Sequence, residues 1–187
     1  RDTADMQMMF NPYSREGQSF SKVPGISIVG YPIFPKSTGT IQIGSADHKV
    51  PARITPNYLT HPYDRKVSVA AVRKIREIVA QQPFADKIVK ELSPTADAHS
   101  DEEILNIYQQ NGMPGFHTTG TCAMGTGGSA VVDARTRAHG VTGLRVIDCS
   151  IYPEMICGVT NASIMAIAMR AAQLIIEDNQ PASQLAD

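Results

Sequence analysis

An α+β fold, a mainly antiparallel sheet with helices packed against it, is what this sequence predicts, and three observations carry the expectation. Apolar runs of strand length stand in the first third, at residues 25–34 and 40–44. Two amphipathic helical patterns with recognisable start and stop signals follow between Asp64 and Gly112. A nearly all-apolar helical stretch, residues 162–177, closes the pattern. Strands grouped ahead of helices give the α+β class.

Taken in order, residues 1–24 mix Met, Ser, Gly and Pro without a period and are expected to be irregular. Residues 25–34, GISIVGYPIF, read as a strand entering the core, and residues 40–44, TIQIG, alternate as a half-buried strand. Between them Pro35-Lys-Ser-Thr-Gly39 has turn residues, so these two strands are expected to form an antiparallel pair. Pro51, Pro56 and Pro62 mark an extended connection that should not be helical. A first helix is expected over residues 64–82, capped by Asp64, with Val67, Ala71, Ile75, Ile78 and Val79 on one side. Its Arg65, Arg73, Lys74 and Arg76 read as a solvated face. Residues 86–92 suggest a short helix. A second long helix starts at Ser100, where Ser100 and Glu103 have the spacing of a capping box, and stops at Asn111-Gly112. Beyond Gly115 glycines crowd together, residues 130–133 and 144–148 look like short buried strands, and the final helix should be packed on most sides. The tail after Asn179 is expected to fray.

Composition removes several function classes. The chain has 187 residues, 42% apolar and 19% charged, with a formal net charge of −1. That describes a folded chain with no electrostatic footprint for nucleic acid. The longest apolar run, residues 162–176, is broken by Arg170 and Gln173, so no transmembrane segment is expected. Cys122, Cys149 and Cys157 have no C-x-x-C spacing and cannot close a disulfide framework; they read as small buried residues in a reducing, cytoplasmic setting, and no metal site is expected. The chain opens at Arg1 with no secretion signal, as expected of a piece of a longer protein. It contains neither G-x-G-x-x-G nor a Walker A loop, and Ser129 is not a nucleophile elbow because Val131 stands where the closing Gly belongs. Asn161-Ala-Ser163 has the form of a glycosylation sequon but opens an apolar helix, where no glycan is expected.

Two polar positions remain as chemical candidates. His117 sits in a loop rich in Gly and Thr, where backbone can approach a ligand closely. Asn161 sits at the leading edge of the last helix, where free N–H groups and the positive end of the helix dipole lie. An imidazole can take a proton near neutral pH, and an amide N–H can hold the oxygen that loses it. The residues alone also allow a structural histidine and an ordinary helix cap.

The residues around these two positions carry a resemblance. His117, Gly120-Thr121, Met124-Gly125, Val131-Val132-Asp133, Leu144 to Asp148 with Ser150, and Gly158 with Asn161-Ala162 stand in one order. So do Pro35 to Gly39, Ser45-Ala-Asp47, Pro51 and Asn57-Tyr-Leu59 upstream. Over residues 30–178 this resembles the C-terminal portion of the glucose–methanol–choline family of flavin-dependent alcohol oxidoreductases, among them choline dehydrogenase-like members.

The resemblance implies a partial substrate-binding domain over residues 1–113 and, over 114–187, the C-terminal segment of a split FAD-binding domain. It implies His117 as base on the substrate hydroxyl and Asn161 as the second active-site residue, bonding the same oxygen. It places Asp148 and Cys149 along the FAD phosphates and ribityl chain, and Asn161 and Ala162 at the flavin's pyrimidine edge. A primary or secondary alcohol would become a carbonyl as its α-hydrogen leaves as hydride to the flavin. A non-redox relative resembling a hydroxynitrile lyase, and a catalytically silent interaction module, are the alternatives. The family's dinucleotide fingerprint is not in this chain. FAD is therefore expected in the full-length protein and not in this piece, which should be inactive alone. Its partners would be a small alcohol and the N-terminal FAD-binding portion, with self-association through the uncovered apolar face. The chain has no Trp, which weighs mildly against a quaternary-ammonium substrate.

Overall fold

Strand β1 (Met6–Asn11) and strand β4 (Ser27–Pro32) pair antiparallel, Met6 opposite Pro32 and Asn11 opposite Ser27. Between them β2 (Arg15–Glu16) and β3 (Ser19–Phe20) form a short hairpin. The computed structural model describes residues 4–16 and 19–180. The expectation of an irregular first stretch is thus corrected at residues 6–11, 15–16 and 19–20, while residues 4–5, 12–14 and 21–24 are irregular as expected; residues 1–3 and 17–18 lie outside the described residues. The unbranched Met residues of β1 have no strong strand pattern of their own, and β4 supplies the pairing that overrides it. The chain clusters into two compact units, Arg1–Met113 and Pro114–Asp187.

In the first unit, the two strands expected to pair with each other do not. Strand β5 (Thr40–Gln42) pairs instead with β6 (Arg53–Thr55), Ile41 opposite Ile54, and both are exposed. The reason lies at Asp64, which is 2% exposed. Its two carboxylate oxygens accept the Lys36 N–H at 2.8 Å and the Ser37 N–H at 2.7 Å. The His61 N–H donates to Ser37 Oγ at 3.0 Å. Residues 35–39 are thereby docked on a helix end and cannot close a hairpin turn. Gly39 continues this path against backbone, where a Cβ would come within 2.5 Å of the Thr55 carbonyl oxygen.

That helix, α1 (Pro62–Val79), starts two residues earlier than the sequence suggests. His61 is its N-cap, with Nδ1 accepting the Tyr63 N–H at 3.1 Å, and Pro62 takes the first helical position. A proline is tolerated there because the N–H it lacks would have had no partner. Asp64 lies in the first turn, where the helix dipole favours an anion. Helix α2 (Asp101–Asn111) has the expected capping box. Amide donation from Ser100 and His99 holds the Glu103 carboxyl down at about 2. Val69, Ala98, Ile104 and Leu105 form the buried cluster that α1 and α2 share. Tyr108 Oη donates to the Gly30 carbonyl at 2.8 Å and to the Ser68 carbonyl at 3.2 Å, joining α2 to β4 and α1. Burial pushes its phenol up to about 12. The helix expected over 86–92 is absent. Turns run through residues 82–87, a 3-10 turn follows at Thr95–Asp97, and Arg76 holds the intervening stretch through Glu91 and the Thr95 carbonyl.

The second unit is built on helix α3 (Thr160–Asp178) and a loop-rich layer. Residues 130–133 and 144–148 are not strands; they make only the isolated bridges Met124–Val132, Val132–Ala138 and Arg137–Arg145. Asp133 Oδ1 accepts the N–H groups of Arg135 and Arg137, at 2.8 and 2.9 Å, and turns the chain before a ladder can extend. Val132 is buried as expected, whereas Val131 and Leu144 are exposed. Helix α3 is also less enclosed than its composition suggests. Thr160, Ala171 and Leu174 are buried, but Met165, Met169 and Ile176 are 59%, 70% and 61% exposed. Cys122 and Cys149 are half-buried and Cys157 is exposed, so the expectation of three buried thiols is corrected too. The tail expected to fray lies, for residues 181–187, outside the described residues. No helix among those described is long and apolar enough to cross a membrane.

Helix α3 ends on Glu177 and Asp178, two acids at the negative end of its dipole. Arg135 offsets them: its guanidinium reaches Asp178 at 2.6 Å, Glu177 at 3.1 Å and the Leu174 carbonyl at 3.3 Å. Arg145 completes the clamp on Asp178. Hydrogen bonds from Arg135 and then Arg145 hold the Asp178 carboxyl down at about 2.

Two outcomes follow from these anchors. Asp64→Asn should lower stability by about 2–3 kcal/mol, because an amide nitrogen then faces a buried N–H; an unchanged denaturant midpoint would refute the docking role. A folded carboxyl held below its unfolded value contributes stability at higher pH and loses it as pH falls. Hydrogen exchange at the C-terminal turn of α3 should therefore quicken as pH drops from about 3.8 toward about 2. Asp178→Asn should flatten that dependence once intrinsic exchange is subtracted.

Candidate active site

All of the candidate residues lie in the second unit, around the start of α3. The loop leading there is fixed by backbone bonds: the Cys122 N–H donates to the Ser150 carbonyl at 2.9 Å and the Met124 N–H to the Ile151 carbonyl at 2.8 Å. Phe116 adopts φ +57°, a left-handed conformation unusual for a bulky residue, immediately before His117. His117 is half-buried, and its Nδ1 lies 3.3 Å from Thr160 Oγ1. Its Nε2 has no hydrogen-bond partner among the described residues.

Helix α3 differs from α1 and α2 at its N-terminus. Its N-cap is Val159, which has no side-chain acceptor, and its first turn contains no acid. The first amides, at Thr160, Asn161 and Ala162, therefore lack a capping group. Gly158 precedes them at φ +94°, with open space where a Cβ would stand. Asn161 and Ala162 are exposed, and the Asn161 carboxamide makes no hydrogen bond among the described residues. The turn is braced from behind. Tyr152 Oη donates to Ser163 Oγ at 2.8 Å, and Ser163 Oγ donates to the Thr160 carbonyl at 2.9 Å.

Asp148 caps the 3-10 turn Cys149–Ile151, its Oδ1 accepting the Ser150 N–H at 2.8 Å. Bonds from the Ser150 hydroxyl and amide hold its carboxyl below the usual aspartate range. An ionised, exposed Asp148 can accept hydrogen bonds but cannot donate them. Among the described residues no three His, Cys, Asp or Glu side chains gather as metal ligands.

The structure thus brings the His117 ring to the residue directly before Asn161, across 43 positions of sequence. Asp148 and Cys149 connect to the His117 loop through backbone at Ser150, not through side chains. Sequence reasoning does not single out Thr160 or Tyr152, and it notes Ser163 only as part of a sequon. A Thr at the head of a helix reads as an ordinary cap, and no local pattern tells that its hydroxyl meets a ring 43 residues away.

A family model described as GMC oxidoreductase matches residues 35–168. Choline oxidase from Arthrobacter globiformis is 34% identical over 175 residues, 91% of this chain and 31% of that protein. Among solved structures, pyridoxine 4-oxidase from Mesorbium loti superposes with a TM-score of 0.76 at 28% identity, covering 84% of this chain and 31% of that one. An FAD-dependent oxidoreductase from Chaetomium thermophilum gives a TM-score of 0.74 at 30% identity, covering 82% of this chain and 27% of that one. The chain spans less than a third of the length of each of these three.

The open helix end can be tested directly. Val159→Asp supplies the missing acceptor at an extended N-cap position and should stabilise the second unit by about 1 kcal/mol. Thermal unfolding that is unchanged or lowered would mean that these amides already have acceptors.

Proposed function

The chain belongs to the GMC oxidoreductase family, and from that premise we propose that it is the C-terminal portion of an FAD-dependent enzyme that oxidises a primary or secondary alcohol to a carbonyl. The single observation that carries this reading is the meeting of His117 with the uncapped start of α3. That juxtaposition offers a proton acceptor beside a set of unpaired amides.

The donor set suits the cofactor. Uncapped amides at residues 160–162, with no acid in the first turn of the helix, favour an electron-rich oxygen or a delocalised anion such as the pyrimidine edge of a flavin. Asp148, an acceptor held in its ionised form, suits the hydroxyls of a ribityl chain better than phosphate, which it would repel. Cys149 beside it presents a small half-buried side chain and backbone to the same strip. FAD, when bound in the complete enzyme, supplies the two-electron acceptor. The N-terminal FAD-binding portion would supply the pyrophosphate cradle that this chain lacks, and the exposed α3 stripe offers a surface for it or for self-association. Three free thiols fit a cytoplasmic setting.

The roles of the chain's own residues follow. His117 takes the substrate's hydroxyl proton at Nε2, the nitrogen left open when Nδ1 faces Thr160. The exposed Asn161 carboxamide donates from its NH₂ to the oxygen that loses that proton. The strained Phe116 backbone and the Thr160 contact restrict where the imidazole can point.

In the complete enzyme, His117→Ala should lower kcat/KM for alcohols by roughly 10²–10⁴-fold, and Asn161→Ala by roughly 10²–10³-fold. Anaerobic bleaching of the flavin by a panel of alcohols reads both. Undiminished bleaching in His117→Ala would sink the base assignment. This chain alone should neither retain flavin in stoichiometric amount nor oxidise alcohols.

A further inference from the structure

We propose that Thr160 is a positioning residue whose hydroxyl oxygen accepts the Nδ1 proton of His117 and so fixes the imidazole tautomer that leaves Nε2 unprotonated. The inference rests on the reading of His117 as the base and deepens it. A neutral imidazole carries one ring proton, and which nitrogen holds it depends on the partner of the other. If Thr160 donated to Nδ1, the proton would sit on Nε2 and the ring would offer the substrate no acceptor. With Nδ1–H donating to Thr160 Oγ1 across 3.3 Å, Nε2 is the free base.

Thr160 is suited to hold that geometry. It is 5% exposed, at the first position of α3, and its branched side chain has few rotamers. Its carbonyl accepts from Ser163 Oγ at 2.9 Å, and Ser163 Oγ in turn accepts from Tyr152 Oη at 2.8 Å. Tyr152 is itself buried, so the hydroxyl facing His117 is carried on a turn locked from the opposite side. The left-handed Phe116 fixes the approach of the ring from its own strand of chain. No other side-chain hydrogen bond to the His117 ring exists among the described residues, so the Thr160 hydroxyl is the side chain through which the tautomer can be set.

The test is ring ¹⁵N NMR on histidine-labelled complete enzyme, read beside steady-state kinetics. The unaltered enzyme should show His117 with its proton on Nδ1 and a pyridine-like Nε2. Thr160→Val, nearly isosteric, should abolish that preference and lower kcat about 10- to 100-fold with KM little changed, as when the orienting partner of a functional histidine is removed. Thr160→Ser should restore both the tautomer and the rate. A proton on Nε2 in the unaltered enzyme overturns the proposal, whether or not the variants fold. So does Thr160→Val with tautomer and kcat unaltered. The ring signal is independent of turnover, so failure of the base assignment, seen in His117→Ala, is distinguishable from failure of this one.

Discussion

Helix α3 creates opposite electrostatic problems at its two ends, and the second unit resolves only one of them. At the C-terminus two acids face the negative end of the dipole, an arrangement that would be unfavourable alone. Arg135 and Arg145 reverse it, binding Asp178 from two directions while Arg135 also takes up the Leu174 carbonyl. At the N-terminus no side chain among the described residues caps the amides of residues 160–162. A helix fixed so firmly at one end, and left polar and unpaired at the other, keeps its free amides in a constant position. That constancy is what an oxygen binding there would need.

Helices α1 and α2 show that the chain can satisfy such ends. At α1, His61 caps, Pro62 removes one donor, and Asp64 places a carboxylate in the first turn. At α2, Ser100 and Glu103 exchange bonds in a capping box. Asp64 does more than serve its helix, since it is buried and ties down residues 36 and 37. One carboxylate thereby decides the path of the chain between β4 and β5 and, with it, which strands can pair. In the first unit the capping groups serve the fold; in the second, Val159 supplies no such group and the start of α3 stays open.

What the sequence made legible is what local chemistry encodes. The capping box at Ser100, the stop at Gly112 and the span of α3 to within two residues all follow from caps, periodicity and glycine. That β4 and β5 pair with other strands and not with each other did not, because a turn-like PKSTG gives no sign that an aspartate 27 residues later will take up its amides. Residues 130–133 and 144–148 look like short buried strands because brief β-branched apolar runs suit a pleat, whereas Asp133 turns the chain tightly. For the site, His117 and Asn161 were legible as residue types and as matches to a family pattern. Thr160 was not, since its importance lies in a contact between elements far apart in sequence.

The exposure of α3 completes the argument about what this chain can do by itself. Met165, Met169 and Ile176 follow one another at i, i+4 and i+11, so they lie along one side of the helix. They are the residues that made the sequence predict a helix enclosed on most sides, and they are uncovered. The same helix presents unpaired amides at its start. An apolar stripe and an unsatisfied polar end on one element both call for a covering surface, one that excludes water from the stripe and brings acceptors to the amides. Hydrogen-bond strength at those amides, and the reach of His117 as a base, would both rise as water is excluded. The chemistry proposed for this chain is therefore conditional on that cover: the base, its orienting hydroxyl and the open helix end are held within one unit, while the low-dielectric enclosure that makes them effective has to come from outside it.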